Sequence, residues 1–403
     1  MPSVPFAIVT PWWSDTSAGG AEFLARDLAS QLHRRGFRVE VLTTCGRDAF
    51  SSWSEDHFAP GTTDEDGPVV RRFSLGQRNE QLFAQLYRAL AEGQFLSPTQ
   101  EREFVANSIN SPSLVRFIEE HRTEYCFCFI PYLYGTTYWG VLAAGDRAIL
   151  IPCLHNEPIA YLEPFQQMMK SVRGFWFLSE AEHCFARALY PIQRAAARVV
   201  GAGMDFCGRG DGDAFRKRFG LDGPYIVFAG RRVPGKGFGL LLRLFARFSE
   251  RHTEWTLVLA GLGAETDAEQ PPPRVVDLGP IDKQTLWDAM AGATAFCQPS
   301  RYESFSYVLM EAWTQGAPAL VNANCEVLRR QCEVAGGGLW FADEDEFEAA
   351  LLYFQRHPDE ARQMGQQGVD YVARNFRWDD VIARAVELFA ACGFSVSAPS
   401  PRG

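Results

Sequence analysis

The stretch PSRYESFSYVLMEAW, residues 299–313, decides how this chain is read. It reads as a strand end, a short loop carrying Glu303, and a helix. Ser304 is the expected N-cap, its hydroxyl accepting from the amides of the first turn. The helix is expected to run to about Gln315, with Gly316 ending it in the left-handed conformation. Glu311 then lies seven residues past the cap, on the face of the helix start and roughly 10 Å along the axis. A helix N-terminus attracts phosphate, and a carboxylate on each side of it accepts from neutral hydroxyls. The ligand implied has hydroxyls at both ends and phosphate between them, as a sugar nucleotide does. Against this, two glutamates eight apart beside a helix are common. Glu311 stands among Val308, Leu309, Met310, Ala312 and Trp313, so it either occupies the one wet face or is held for a purpose.

Upstream, Ala295 to Cys297 is a strand that feeds this stretch. Tyr225 to Ala229 is another, followed by the basic loop Gly230-Arg-Arg-Val-Pro-Gly-Lys-Gly237 and an amphipathic helix from Phe238 to about Arg251. Two or three cations between a strand and a helix suit a diphosphate; a solvated basic turn is the plainer alternative. Trp255 to Ala260, Val275 to Leu278, Pro318 to Val321 and Leu339 to Phe341 read as further strands. Helices are expected over Asp343 to Arg374, a final amphipathic helix over Arg377 to Ala391, and then a frayed tail.

The first half uses the same grammar. Phe6 to Thr10 is a strand, a loop with Ala18, Gly19 and Gly20 follows, then a helix from Ala21 to Arg35 and a strand from Phe37 to Thr44. That order calls for a parallel sheet. Residues 45 to 68 read as a long loop and 80 to 122 as two or three helices. Strands are expected at Tyr125 to Ile130, Ala148 to Pro152, Phe175 to Leu178 and Arg198 to Val200. His155 follows the second of these, where ligands of open parallel sheets gather. Tyr132, Tyr134, Tyr138 and Trp139 could stack on a sugar, although packing is the simpler use. The glycines of 201–212 mark a linker.

At 403 residues the chain is long for one core, and domains over 1–202 and 203–376, with 377–403 crossing back to the first, are expected. The net charge of −10 argues against nonspecific nucleic-acid binding. Ten cysteines without Cys-x-x-Cys spacing and no signal-peptide pattern suggest reduced thiols in a cytoplasmic protein. No apolar run approaches a membrane span. Arg34, Arg35 and Arg38 either touch anionic lipid peripherally or form a solvated helix end.

Gly230-Arg231 with Lys236-Gly237, and Pro299-Ser300 followed by Glu303 and Glu311, resemble glycosyltransferase family 4. Gly19-Gly20-Ala21-Glu22, the His155 segment, Gly203-Met204-Asp205 and Ala260-Gly-Leu-Gly263 carry the likeness over nearly the whole chain. The resemblance implies an α/β GT-B fold, two Rossmann-like domains with parallel sheets facing a central cleft. It implies a retaining transferase moving a sugar from a nucleotide-diphosphate sugar to a glycan or lipid-linked hydroxyl, with no cofactor and no metal. Arg231 and Lys236 would hold the diphosphate, Glu311 the ribose, and Glu303 a sugar hydroxyl. Gly230, Ser304, Phe305 and Ser306 would line the donor site. Gly279 to Ile281 would meet the base, Gly19 and Gly20 the donor phosphate or the acceptor, and His155 would orient the sugar. Glu157 is the one nearby carboxylate available as a covalent nucleophile.

Three positions depart from the family pattern. Ser306 replaces a common glycine, Asn156 replaces an Asp after the histidine, and Arg232 replaces an apolar residue and has no role in the pattern. A sugar-nucleotide epimerase and a nucleotide-sugar binding protein without chemistry are the rival readings.

Overall fold

The computed structural model describes residues 4–14, 19–64, 67–206, 208–263 and 274–395. Ala18 and the tail from 396 lie outside them. The chain divides into two compact units, Met1–Gly203 with Trp378–Gly403, and Met204–Arg377.

The first unit contains strands β1 (Phe6–Val9), β2 (Val39–Thr44), β3 (Gly61–Thr63), β4 (Val69–Phe73), β5 (Cys126–Phe129), β6 (Ala148–Leu150), β7 (Gly174–Phe177) and β8 (Ala196–Val199). They form one sheet in the order β3-β4-β2-β1-β5-β6-β7-β8. Only β3 is antiparallel to its neighbour. Strands such as Cys-Phe-Cys-Phe of β5 are fully buried, as expected of a parallel sheet covered by helices on both faces. The stretch 45–68, read as loop, contributes β3 at the sheet edge. Tyr138 and Trp139 lie on an unforeseen helix, Gly135–Ala144. The helix Trp378–Ala391 belongs to this unit. Its Phe389 ring lies 4.7 Å from that of Phe6, and Arg384 Nε donates to the Val200 carbonyl at 3.0 Å. Arg35 pairs with Asp379 of the same helix at 2.5 Å, so that arginine braces the fold.

The second unit contains β9 (Tyr225–Ala229), β10 (Thr256–Ala260), β11 (Val275–Gly279), β12 (Ala295–Gln298), β13 (Ala319–Asn322) and β14 (Gly338–Phe341). All pairs are parallel, in the order β11-β10-β9-β12-β13-β14. The helix Phe238–Arg251 packs Phe238, Leu241, Phe245 and Phe248 into the core. From β9 the chain runs outward to β11 and then returns to place β12 on the other side of β9. The strand order therefore reverses between β9 and β12, the place where open parallel sheets gather ligands beyond the carboxyl ends of their strands.

Candidate functional site

Two loops leave the strands that flank this reversal: 230–237 after β9 and 299–306 after β12. Gly237, at φ +70°, makes their close approach possible, since a Cβ there would come within 2.2 Å of the Pro299 carbonyl oxygen. The Arg301 amide donates to the Gly235 carbonyl at 3.1 Å. Across this seam Lys236 Nζ donates to Glu303 Oε1 at 2.6 Å. Gln298 Nε2 donates to the same oxygen at 2.8 Å, and Ser306 Oγ donates to Gln298 Oε1 at 2.8 Å. Glu303 is only 8% exposed, so it is a buried carboxylate that needs this charge. Asn322 and Gln331 hold the loop further, by donating to the carbonyls of Pro299 and Phe305.

The helix begins later than expected, at Tyr307, and runs to Thr314. Ser306, not Ser304, is the N-cap, its Oγ accepting from the Leu309 amide at 3.4 Å. The reason is backbone conformation. Ser306 sits at φ +73°, so the chain turns there, one residue before helical geometry starts. A glycine would adopt that φ without strain; this chain holds a serine in it by using its hydroxyl twice. The Phe305 ring is buried against Tyr307 and Phe376.

Glu311 is therefore five residues past the cap, roughly 7.5 Å along the helix. It is 17% exposed, and burial raises its pKa against the opposing pull of Lys283, whose Nζ lies 3.3 Å away. Lys283 and Gln298 were not singled out from sequence. Gln298 carried a signal, as the polar end of the buried strand Ala-Phe-Cys-Gln. Lys283 carried none, since it reaches Glu311 from a separate helix, Lys283–Ala291.

Arg231 is half-buried in the loop after β9. Its neighbour Arg232, which had no assigned role, forms a two-pronged pair with Asp277 in the middle of β11. Gly279 follows at φ +60°, and Ile281 stands two residues beyond it, half-buried.

In the first unit, Gly19 is the extended N-cap of the helix Gly20–Arg34. His155 follows β6, with Nδ1 3.4 Å from Glu157 Oε1. Glu157 also accepts from Tyr132 Oη at 3.1 Å, which commits it to a neutral neighbour. Asn156 Oδ1 accepts from Tyr161 Oη at 2.8 Å. A residue missed from sequence lies behind this segment. Glu182 is 1% exposed and accepts from the amides of Leu154 and Leu178, both at 2.6 Å. Burial raises its pKa to about 7 although these amides and His155 pull it down. Among the described residues no His, Cys, Asp and Glu cluster of metal-binding form occurs, and no helix is long and apolar enough to cross a membrane.

Residues 212–370 match the family model described as "Glycosyl transferases group 1". The D-inositol 3-phosphate glycosyltransferase of Kribbella flavida is 26% identical, over 90% of this chain and 88% of that protein. The mannosylfructose-phosphate synthase of Agrobacterium fabrum is 33% identical over 53% of this chain and 57% of its own. HepE of Anabaena, solved in complex with UDP, superposes with a TM-score of 0.69 at 16% identity, over 96% of this chain and 100% of that one.

Proposed function

We propose that this chain, whose residues 212–370 match the glycosyl transferases group 1 model, is a retaining, metal-independent glycosyltransferase of the family 4 type with the GT-B fold. It moves a sugar from a nucleoside-diphosphate sugar to a hydroxyl of a glycan or lipid-linked acceptor in glycoconjugate biosynthesis. The observation that carries this reading is the Lys236–Glu303 pair at the strand reversal, 2.6 Å long and formed by one residue from each flanking loop. An incoming donor suits both partners. Its diphosphate takes the ammonium of Lys236, and a sugar hydroxyl donates to the released Glu303 carboxylate. Glu311, near the same helix start, accepts from the ribose.

The bond that breaks joins the anomeric carbon to a phosphate oxygen, and its electron pair stays on the diphosphate. Arg231, Lys236 and the helix start at Tyr307 stabilise that charge. Each such fixed donor lowers the barrier by roughly 2.7–4 kcal/mol. The acceptor oxygen forms the new bond, and its proton passes to the departing diphosphate. Attack and departure then share one face, so configuration is kept. In the first unit Glu157 lies beside His155 and accepts from Tyr132 Oη.

Proton NMR of the product tests this. An α-linked donor is expected to yield an α-glycoside, with activity retained in EDTA. A β-anomeric coupling, or loss of activity on chelation, overturns the mechanism.

A further inference from the structure

Arg232 is the residue that the family pattern left without work, and its surroundings give it some. Three turns follow the strands β9, β10 and β11, and hydrogen bonds lace them together. The Gly230 amide donates to Ala260 O at 3.0 Å, the Arg232 amide to Leu262 O at 3.0 Å, and the Gly261 amide to Gly279 O at 2.7 Å. Gly261, at φ +126°, allows this approach, since a Cβ there would lie 2.0 Å from the Gly230 carbonyl oxygen. The Arg232 side chain completes the circuit. Its Nη1 donates to Asp277 Oδ2 at 2.7 Å and its Nη2 to Oδ1, while Oδ1 also accepts from the Gly279 amide at 2.9 Å. The Arg232 side chain is 12% exposed, and its Cζ lies 5.5 Å from the Phe238 ring centroid. A two-pronged, half-sheltered pair of this kind fixes orientation as well as distance.

We propose that the Arg232–Asp277 pair is a positioning device that ties the diphosphate loop to the stretch Gly279 to Ile281 and so sets which nucleobase the enzyme accepts. The proposal rests on the donor-site reading above. Base recognition by backbone depends on where the amides and carbonyls stand, and a bidentate pair at Asp277 holds the turn that carries them. Loosening that turn costs the favoured base its fitted contacts and leaves the rejected bases little changed, because selectivity is a difference between affinities.

The test is isothermal titration of the full-length protein with UDP, GDP and ADP, for wild type, Arg232→Leu and Asp277→Asn. Thermal melts report whether each variant folds; Asp277→Asn keeps an acceptor for the Gly279 amide and serves if Arg232→Leu does not fold. The expected result is a preference among the three diphosphates in the wild type that falls about tenfold in the variants, through the favoured one alone. An equal loss for all three overturns the proposal, as does a wild type that binds all three alike. A wild type that binds none of them overturns the donor-site reading itself.

Discussion

Two carboxylates are buried beside loops that follow strand ends, one in each unit, and they are held by different means. Glu303 is balanced by a lysine ammonium and a glutamine amide. Glu182 is held by two backbone amides. A lysine on a four-carbon stem can exchange its partner when a stronger anion arrives. Backbone amides of Leu154 and Leu178 cannot leave. The first arrangement therefore suits a group that must change partners during a reaction cycle, and the second suits a brace. The His155 segment, with Cys153 at φ +50° just before it, is held in place by that brace.

The largest expected effect falls on the exchangeable pair. Lys236→Ala removes a charge-assisted donor to the leaving group, and turnover is expected to fall about 100-fold. The same change removes one counter-charge from the buried Glu303, so a drop in stability is also expected. Steady-state kinetics on folded protein separate the two. Wild-type turnover in the variant would remove Lys236 from the reaction and make its pair with Glu303 structural.

The brace is tested by pH. The pKa of Glu182 rises to about 7 in the fold, from an ordinary 4.5, chiefly through burial. The folded state thus holds the proton more tightly than the unfolded chain does. The stabilisation is complete below pH 4.5 and is lost as pH rises through about 7, a change of about 3 kcal/mol. Glu182→Gln keeps one of the two amide bonds and does not titrate, so between these limits wild type should lose about 3 kcal/mol relative to the variant. Urea melts at several pH values measure it. Parallel curves would show that the two amides hold the carboxylate ionised throughout.

The difference between the two regions also explains what could be read in advance. The paired strand-and-loop pattern, Lys236 and Glu303 were legible, because glycines, charges and apolar runs stand close together in sequence. Gln298 was legible in principle, as a polar residue ending a buried strand. Glu182 was not, because Ser-Glu-Ala-Glu after β7 reads as an ordinary capped helix start. Its function as a brace depends on Leu154, 28 residues away. Lys283 and the Arg232–Asp277 pair were hidden for the same reason, since each joins elements distant in the chain. The helix start was misplaced by two residues, because Ser304 and Ser306 are equally good caps in sequence and only the backbone angle at Ser306 chooses between them.

That angle supplies the smallest effect. Ser306 holds φ +73°, which costs a residue with a Cβ about 1–2 kcal/mol. Its hydroxyl offsets this by capping the helix and donating to Gln298. Ser306→Gly relieves the strain, loses only a few tenths of a kcal/mol as a cap, and gives up one buried hydrogen bond of about 1 kcal/mol. The sum lies within about 1 kcal/mol of wild type. Ser306→Ala keeps the strain and loses both the cap and the bond, so it is expected to be destabilised by about 2–3 kcal/mol. The order wild type near Gly, with Ala clearly below both, is the signature in thermal or urea melts. An Ala variant at least as stable as the Gly variant would mean that residue 306 is free to leave the left-handed region, and that the hydroxyl, not the backbone, places the start of this helix.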